Sequence, residues 1–272
     1  MSILHSTQHN QGKRSTRWVA GGILLLALTI VTTLVFFPGA SLLNRMSWLD
    51  SGICAQFASH SFYPGGERLP LCARNTGIYL GFLVTLMTLY GKGRGRAQHL
   101  PRWPLFGVLV GGVTALAIDG INSFLLDVGI QHLYQPNNLL RLATGLVTGL
   151  AMALLLLPML NRLLWRGYNA MRSVASWQEL LHYVPLLVVC FFVVASQNAL
   201  ILYPIALLST GGVLMALGSL NLIVFVGVSR RDETFEQFRE LLPFLGIALV
   251  FAVGEMLLLA QLKLTLLHTL GL

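Results

Sequence analysis

The stretch LLRLATGLVTGLAMALLLLPML, running from Leu139 to Leu160, decides the fold. Its only charged residue is Arg141, close to one end. A helix rising about 1.5 Å per residue crosses a hydrocarbon core of roughly 30 Å in about 20 residues. Gly145 and Gly149 stand four residues apart, the spacing that lets two membrane helices approach closely. A soluble helix of this length would need a polar face, and this one has none.

Six runs of similar character surround it. Trp18–Phe37, Thr76–Tyr90 and Trp103–Leu126 come before, and Leu181–Tyr203, Ile205–Val228 and Leu241–Leu262 come after. The expected fold class is therefore all-α, a polytopic transmembrane helical bundle of about seven spans. Composition agrees: 55% of the residues are hydrophobic and 10% are charged, against about 25% charged in soluble domains. Tyr203-Pro204 is expected to separate the fifth span from the sixth, because proline disfavours helix in the residue before it. The apolar part of Trp18–Phe37 exceeds the roughly 7–15 residues of a secretory signal, so it reads as an uncleaved anchor.

Charge sets the expected orientation. Thirteen of the eighteen basic residues fall in the amino tail (Lys13, Arg14, Arg17) and in the loops holding Lys92–Arg102, Arg162–Arg172 and Arg230–Arg239. This places the amino terminus in the cytoplasm and the carboxyl terminus outside, as an odd number of spans requires. The net charge of +8 is thus a topology signal and an attraction to anionic headgroups. It does not indicate nucleic acid. The expected organisation is a tail (1–17), a four-helix membrane region (18–160), an amphipathic connector (161–180) and a three-helix membrane region (181–272). A short amphipathic helix is expected around Leu42–Phe57.

Ionisable groups inside spans are costly and mark function or structural pairing. Here they gather toward the outer end. Arg74 and Asn75 open the second span, with Tyr79 one turn in. Asp119 and Asn122 share a face of the third by their three-residue spacing. Asn138 and Arg141 do the same on the fourth, and Glu255 lies in the outer half of the seventh. Two arginines near headgroup level suit phosphate or carboxylate, whose oxygens match the guanidinium fork. Asp119 would then orient an arginine or act as a base. The competing reading is a salt-bridge network that ties helix ends together. Gly111 and Gly112 on the third span, with Gly145 and Gly149 on the fourth, would let those two helices close up.

Cys54 and Cys72 are both expected outside, where an oxidising compartment favours a disulfide. A redox-active pair and, more weakly, a metal site that adds His60 are the other readings, and no metal ligand is expected.

The segments Cys54-Ala55-Gln56, His60-Ser61-Phe62 and Leu71-Cys72-Ala73-Arg74-Asn75-Thr76-Gly77-Ile78-Tyr79-Leu80-Gly81 resemble the signature of a prokaryotic membrane-protein family, domain of unknown function 2085. Asp119, then Asn137-Asn138 through Arg141, Thr144-Gly145 and Gly149, extend the resemblance over about residues 52–152. It implies a multi-pass protein of a prokaryotic cytoplasmic (inner) membrane, the plasma membrane of such a cell. It also implies that Cys54, Cys72, Arg74, Tyr79, Asp119, Asn138 and Arg141 form one constellation. The family pattern has Cys-His-Gln where this chain has Cys54-Ala55-Gln56, and Cys-x-Arg-Cys where it has Asn75. Any metal or redox chemistry of those two missing residues is lost here. The resemblance brings no activity with it, and the last three spans stand outside it as an added module.

Three functions compete. The first is an outer-leaflet site that binds, transports or processes an anionic small molecule or lipid headgroup. The second is an accessory subunit of a larger membrane complex, favoured by the lack of a nucleophile–base set, a phosphate-cradling glycine loop or HExxH. The third is thiol–disulfide redox work. The bilayer is the one partner all three share. The sequence names no cofactor, no catalytic residue and no reaction.

Overall fold

The computed structural model describes residues 41–270, together with 18, 21–26, 28–30 and 32. The tail 1–17 lies outside the described residues, and the first span does so in part. The chain is helical: α1 (Gly21–Ile30), α2 (Leu42–Asp50), α3 (Ala73–Gly91), α4 (Trp103–Asp127), α5 (Asn138–Leu164), α6 (Trp177–Leu181), α7 (Val184–Ala195), α8 (Leu202–Val228) and α9 (Phe238–Leu270). Extended pairing among the described residues is limited to two isolated bridges, His99 with Arg172 and Trp165 with Phe235.

Five stretches are long and apolar enough to cross a membrane: α4, α5, Trp177–Ala195, Ala199–Val228 and Phe238–Thr269. The 19-residue α3 is less apolar because Arg74 and Asn75 occupy its first turn. It is nonetheless central, packing against α5 and α8. In α5, 61% of the most apolar window is buried, against 17% in α4 and in Trp177–Ala195. The core therefore runs along α3, α5 and α8, and α4 joins it mainly through Leu105 and Leu109.

Glycine makes the central contact. A Cβ on Gly145 would stand 2.3 Å from the Arg74 carbonyl oxygen, and one on Gly77 would stand 2.5 Å from that of Leu142. Gly81 and Gly212 are equally tight, against Leu146 and Tyr79. Gly145 and Gly149 thus bring α5 onto α3, not onto α4 as expected. Gly111 faces open space, and Gly112 meets only the Val147 side chain.

Three boundaries differ from expectation. The fifth span stops at Ala195, and the chain turns through Gln197 at φ 49° before Asn198 caps the next turn by accepting from the Leu200 N–H. Pro204 sits in the first turn of α8, where its missing N–H has no helical partner to lose. The outer amphipathic helix is shorter than expected, ending at Asp50, because Gly52 must press against α9: a Cβ there would lie 2.7 Å from the Met256 carbonyl oxygen. The connector begins later than position 161. α5 runs on to Leu164, and residues 165–176 form an irregular strap held to residues 94–100. Asn161 donates to the carbonyls of Gly95 (2.9 Å) and Ala97 (2.8 Å) and accepts from the Trp165 indole (2.8 Å). Arg94 pairs with Glu179, which in turn accepts from the Ala175 N–H while Ser176 caps α6.

The helix ends define two faces. The basic face carries residues 92–102, 165–176 and 229–237. The opposite face carries α2, the loop 51–72, the loop 128–137 and the Ser196–Ile201 turn.

Candidate functional site

The site on the opposite face begins at the first turn of α3. Cys72 precedes that helix, so Arg74 is its second residue and reaches sideways to α4. Gly120 leaves room for it: a Cβ there would lie 3.9 Å from Arg74 Nη1. Arg74 donates through Nη2 (2.6 Å) and Nε (3.3 Å) to Asp119 Oδ2, and through Nη2 to the Asp119 carbonyl (3.2 Å) and the Ser123 hydroxyl (3.0 Å). Asp119 is 1% exposed. Its other oxygen accepts from the Tyr134 hydroxyl at 2.9 Å. Burial, reinforced by that bond to the carboxylate, pushes the Tyr134 hydroxyl up from its ordinary range.

Asn122 acts on the loop rather than on a ligand. Its Oδ1 accepts from the N–H groups of Leu133 (2.7 Å) and Tyr134 (3.3 Å), and its Nδ2 donates to the Tyr134 carbonyl (2.8 Å). The shared face of Asp119 and Asn122 thus holds the loop 128–137 against α4.

Arg141 is different. It is 4% exposed, yet it forms no ion pair among the described residues. Nη1 donates to Asn138 Oδ1 at 2.9 Å, and Nε has no acceptor. Asn138 is fixed by donating to the Ser59 and Ser61 carbonyls. Asp119 is committed to Arg74, and Asp127 lies 3.2 Å from His60. Burial, and next the Arg141 charge, hold the His60 imidazole below its ordinary range. Arg74, Asp119 and Asn122 form one bonded group with Ser123 and Tyr134, and Asn138 and Arg141 form a second beside His60 and Asp127, with Ser123, Asp127 and Tyr134 absent from the sequence reading. Ser123 and Asp127 lie four and eight residues after Asp119, so a longer helical stripe would have revealed them. Tyr134 is in a loop and gives no periodic signal.

Tyr79 and Glu255 lie elsewhere. Tyr79 faces α8 across Gly212. Glu255 accepts from Asn221 Nδ2 (3.0 Å) between α8 and α9, away from both arginines.

A second cluster surrounds the cysteines. Cys54 and Cys72 are free thiols, so the expected disulfide is not formed, although the Cys72 N–H donates to Cys54 Sγ at 3.3 Å. The Cys72 thiol donates to Cys54 and pulls the Cys54 thiol below its ordinary range, while Cys72 is pushed up by the same bond. Lys263 donates to the carbonyls of Ser51, Cys54 and Ala55. Asp50 is fully buried. One of its oxygens accepts from Thr210 (2.7 Å), the other has no donor, and burial pushes its carboxyl up to about 7. Neither Asp50 nor Thr210 stands out in the sequence, since they are 160 residues apart. His60 belongs to the arginine cluster, and no three His, Cys, Asp or Glu side chains among the described residues gather as a metal set.

Residues 54–155 match the model of a family described as predicted membrane protein (DUF2085). The uncharacterized protein MJ1492 of Methanocaldococcus jannaschii is 26% identical over 118 residues, covering 43% of this chain and 69% of that protein. No solved structure matches. The arginine cluster is therefore built from the segment that is similar to the DUF2085 family of predicted membrane proteins.

Proposed function

We propose that this chain is a seven-span protein of a prokaryotic cytoplasmic membrane whose outer face holds a binding site for an anion, a phosphate or carboxylate on a small molecule or lipid headgroup. α3 and the segment 18–37 would complete the five longer spans, with the basic face in the cytoplasm. One observation carries the reading. Arg141 is buried without a carboxylate partner and keeps an unused donor. A buried arginine with no counter-ion is costly, and an incoming anion supplies the missing charge. Arg74 is supporting structure, since Asp119 satisfies it. Binding of this kind serves transport or processing equally well.

The test is thermal stability of the purified full chain, titrated with inorganic phosphate and with acetate. The expected result is an upward shift with one of these anions that Arg141→Gln abolishes and Arg141→Lys reduces. Equal behaviour of the wild-type protein and Arg141→Gln toward both anions overturns the proposal.

A further inference from the structure

The basic face carries a cleft of about 210 Å³ between the end of α5 and the strap. Pro158, Met159 and Arg162 of α5 form one wall, and Gln98, His99 and Arg172 line the rest. The bridge between His99 and Arg172 holds the two segments in register. Arg172 Nη1 donates to the Leu100 carbonyl at 2.7 Å, which fixes the guanidinium and leaves the rest of its fork open. Arg162 makes no hydrogen bond and no ion pair among the described residues. Gln98 is spent on the strap, donating to the Gly167 carbonyl and accepting from the Asn169 N–H.

No acidic residue lines this cleft. Of the carboxylates on this face, Glu179 pairs with Arg94 and Glu236 with Arg166 at 2.9 Å. Two guanidinium groups thus share one concavity with no counter-charge. The lip is apolar and open: Met159 is 58% exposed and Leu100 38%. Trp103 and Tyr168, also on this face, are more exposed still, as aromatic residues at a membrane surface are.

We propose that this cleft is a phosphate-binding site, with Arg162 and Arg172 as its paired donors and the phosphodiester of an acidic lipid as its occupant. Basic pockets between helix ends at the cytoplasmic surface recognise such headgroups by charge and by bidentate bonding. The apolar lip would lie along the acyl chains. This site is separate from that of Arg141, lies on the other face and does not depend on it.

The experiment is native mass spectrometry of the full chain released from bilayers of phosphatidylcholine containing phosphatidylglycerol, repeated with added inorganic phosphate. The wild-type protein is expected to retain phosphatidylglycerol over phosphatidylcholine. Arg162→Gln and Arg172→Gln are each expected to reduce that preference about tenfold, about 1.4 kcal/mol. Arg162→Gln alters an exposed side chain that supports nothing else, so its result stands even if Arg172→Gln loosens the strap. Arg239→Gln removes a charge from the same face outside the cleft and is expected to change nothing. Displacement of the lipid by millimolar inorganic phosphate, with the same arginine dependence, identifies free phosphate as the occupant and keeps the site. Equal retention of both lipids with no arginine-dependent phosphate binding overturns the proposal, as does an equal loss in Arg239→Gln.

Discussion

Gly149 lies against Ile78 so closely that a Cβ on the glycine would stand 2.1 Å from the isoleucine carbonyl oxygen. The obstacle is backbone, so it cannot step aside as a side chain tip would. Gly149→Leu is therefore expected to destabilise the chain by about 3 kcal/mol or more, or to abolish recovery of folded protein. Gly111→Leu, which faces open space, is expected to be nearly neutral. Monodisperse yield and melting temperature in detergent compare the two.

The Arg74–Asp119 pair is expected to be strongly coupled. Asp119→Asn removes the charge opposing a half-buried guanidinium and weakens the bond from Tyr134, at a cost of about 3 kcal/mol. Arg74→Met with Asp119→Leu removes both charges and is expected to recover part of that loss. A double-mutant cycle read by chemical denaturation measures the coupling.

Asp50 makes stability depend on pH. Its folded value, near 7, lies above the ordinary carboxyl value of 3.8, so between them the folded chain binds the extra proton. The stabilisation is complete below about pH 4 and is lost as pH rises through 7. Asp50→Asn is expected to match the wild-type protein at pH 4.5 and to melt about 5 °C higher at pH 8. Melting curves across that range check the sign.

Cys54 and Cys72 are expected to close under a mild thiol oxidant such as diamide. Two thiols become one disulfide, with two protons and two electrons passing to the oxidant. Because the bond closes a loop of comparable size to 15 residues, it is expected to add about 3 kcal/mol. Intact mass after alkylation, followed by melting, detects both effects, and Cys54→Ser removes them.

Much of this fold is legible in the sequence because a bilayer demands long apolar runs. Leu139–Leu160 gives itself away by that alone, as does the shared face of Asp119 and Asn122. What stays hidden is which helix each face meets. Gly145 carries the same local signal whether it packs on α3 or α4, and only the tertiary arrangement chooses. Pro204 misleads for a related reason, since proline marks either a break or a first turn. Glu255 shows its depth but not that Asn221 is its partner. The strap 165–176 looks amphipathic because its arginines and aromatics alternate with depth, while its hydrogen bonds run to residues 94–100.

Asn122 and Asp119 together fasten Tyr134, one through the backbone and one through the hydroxyl, and the same Asp119 restrains Arg74. The carboxylate is therefore a latch shared by a helix end and a surface loop. Any loosening of Arg74 from Asp119 would leave Tyr134 holding a carboxylate with altered demands, and a change deep in the cluster would become readable from the water side as a change in how readily a protease cuts the loop 128–137.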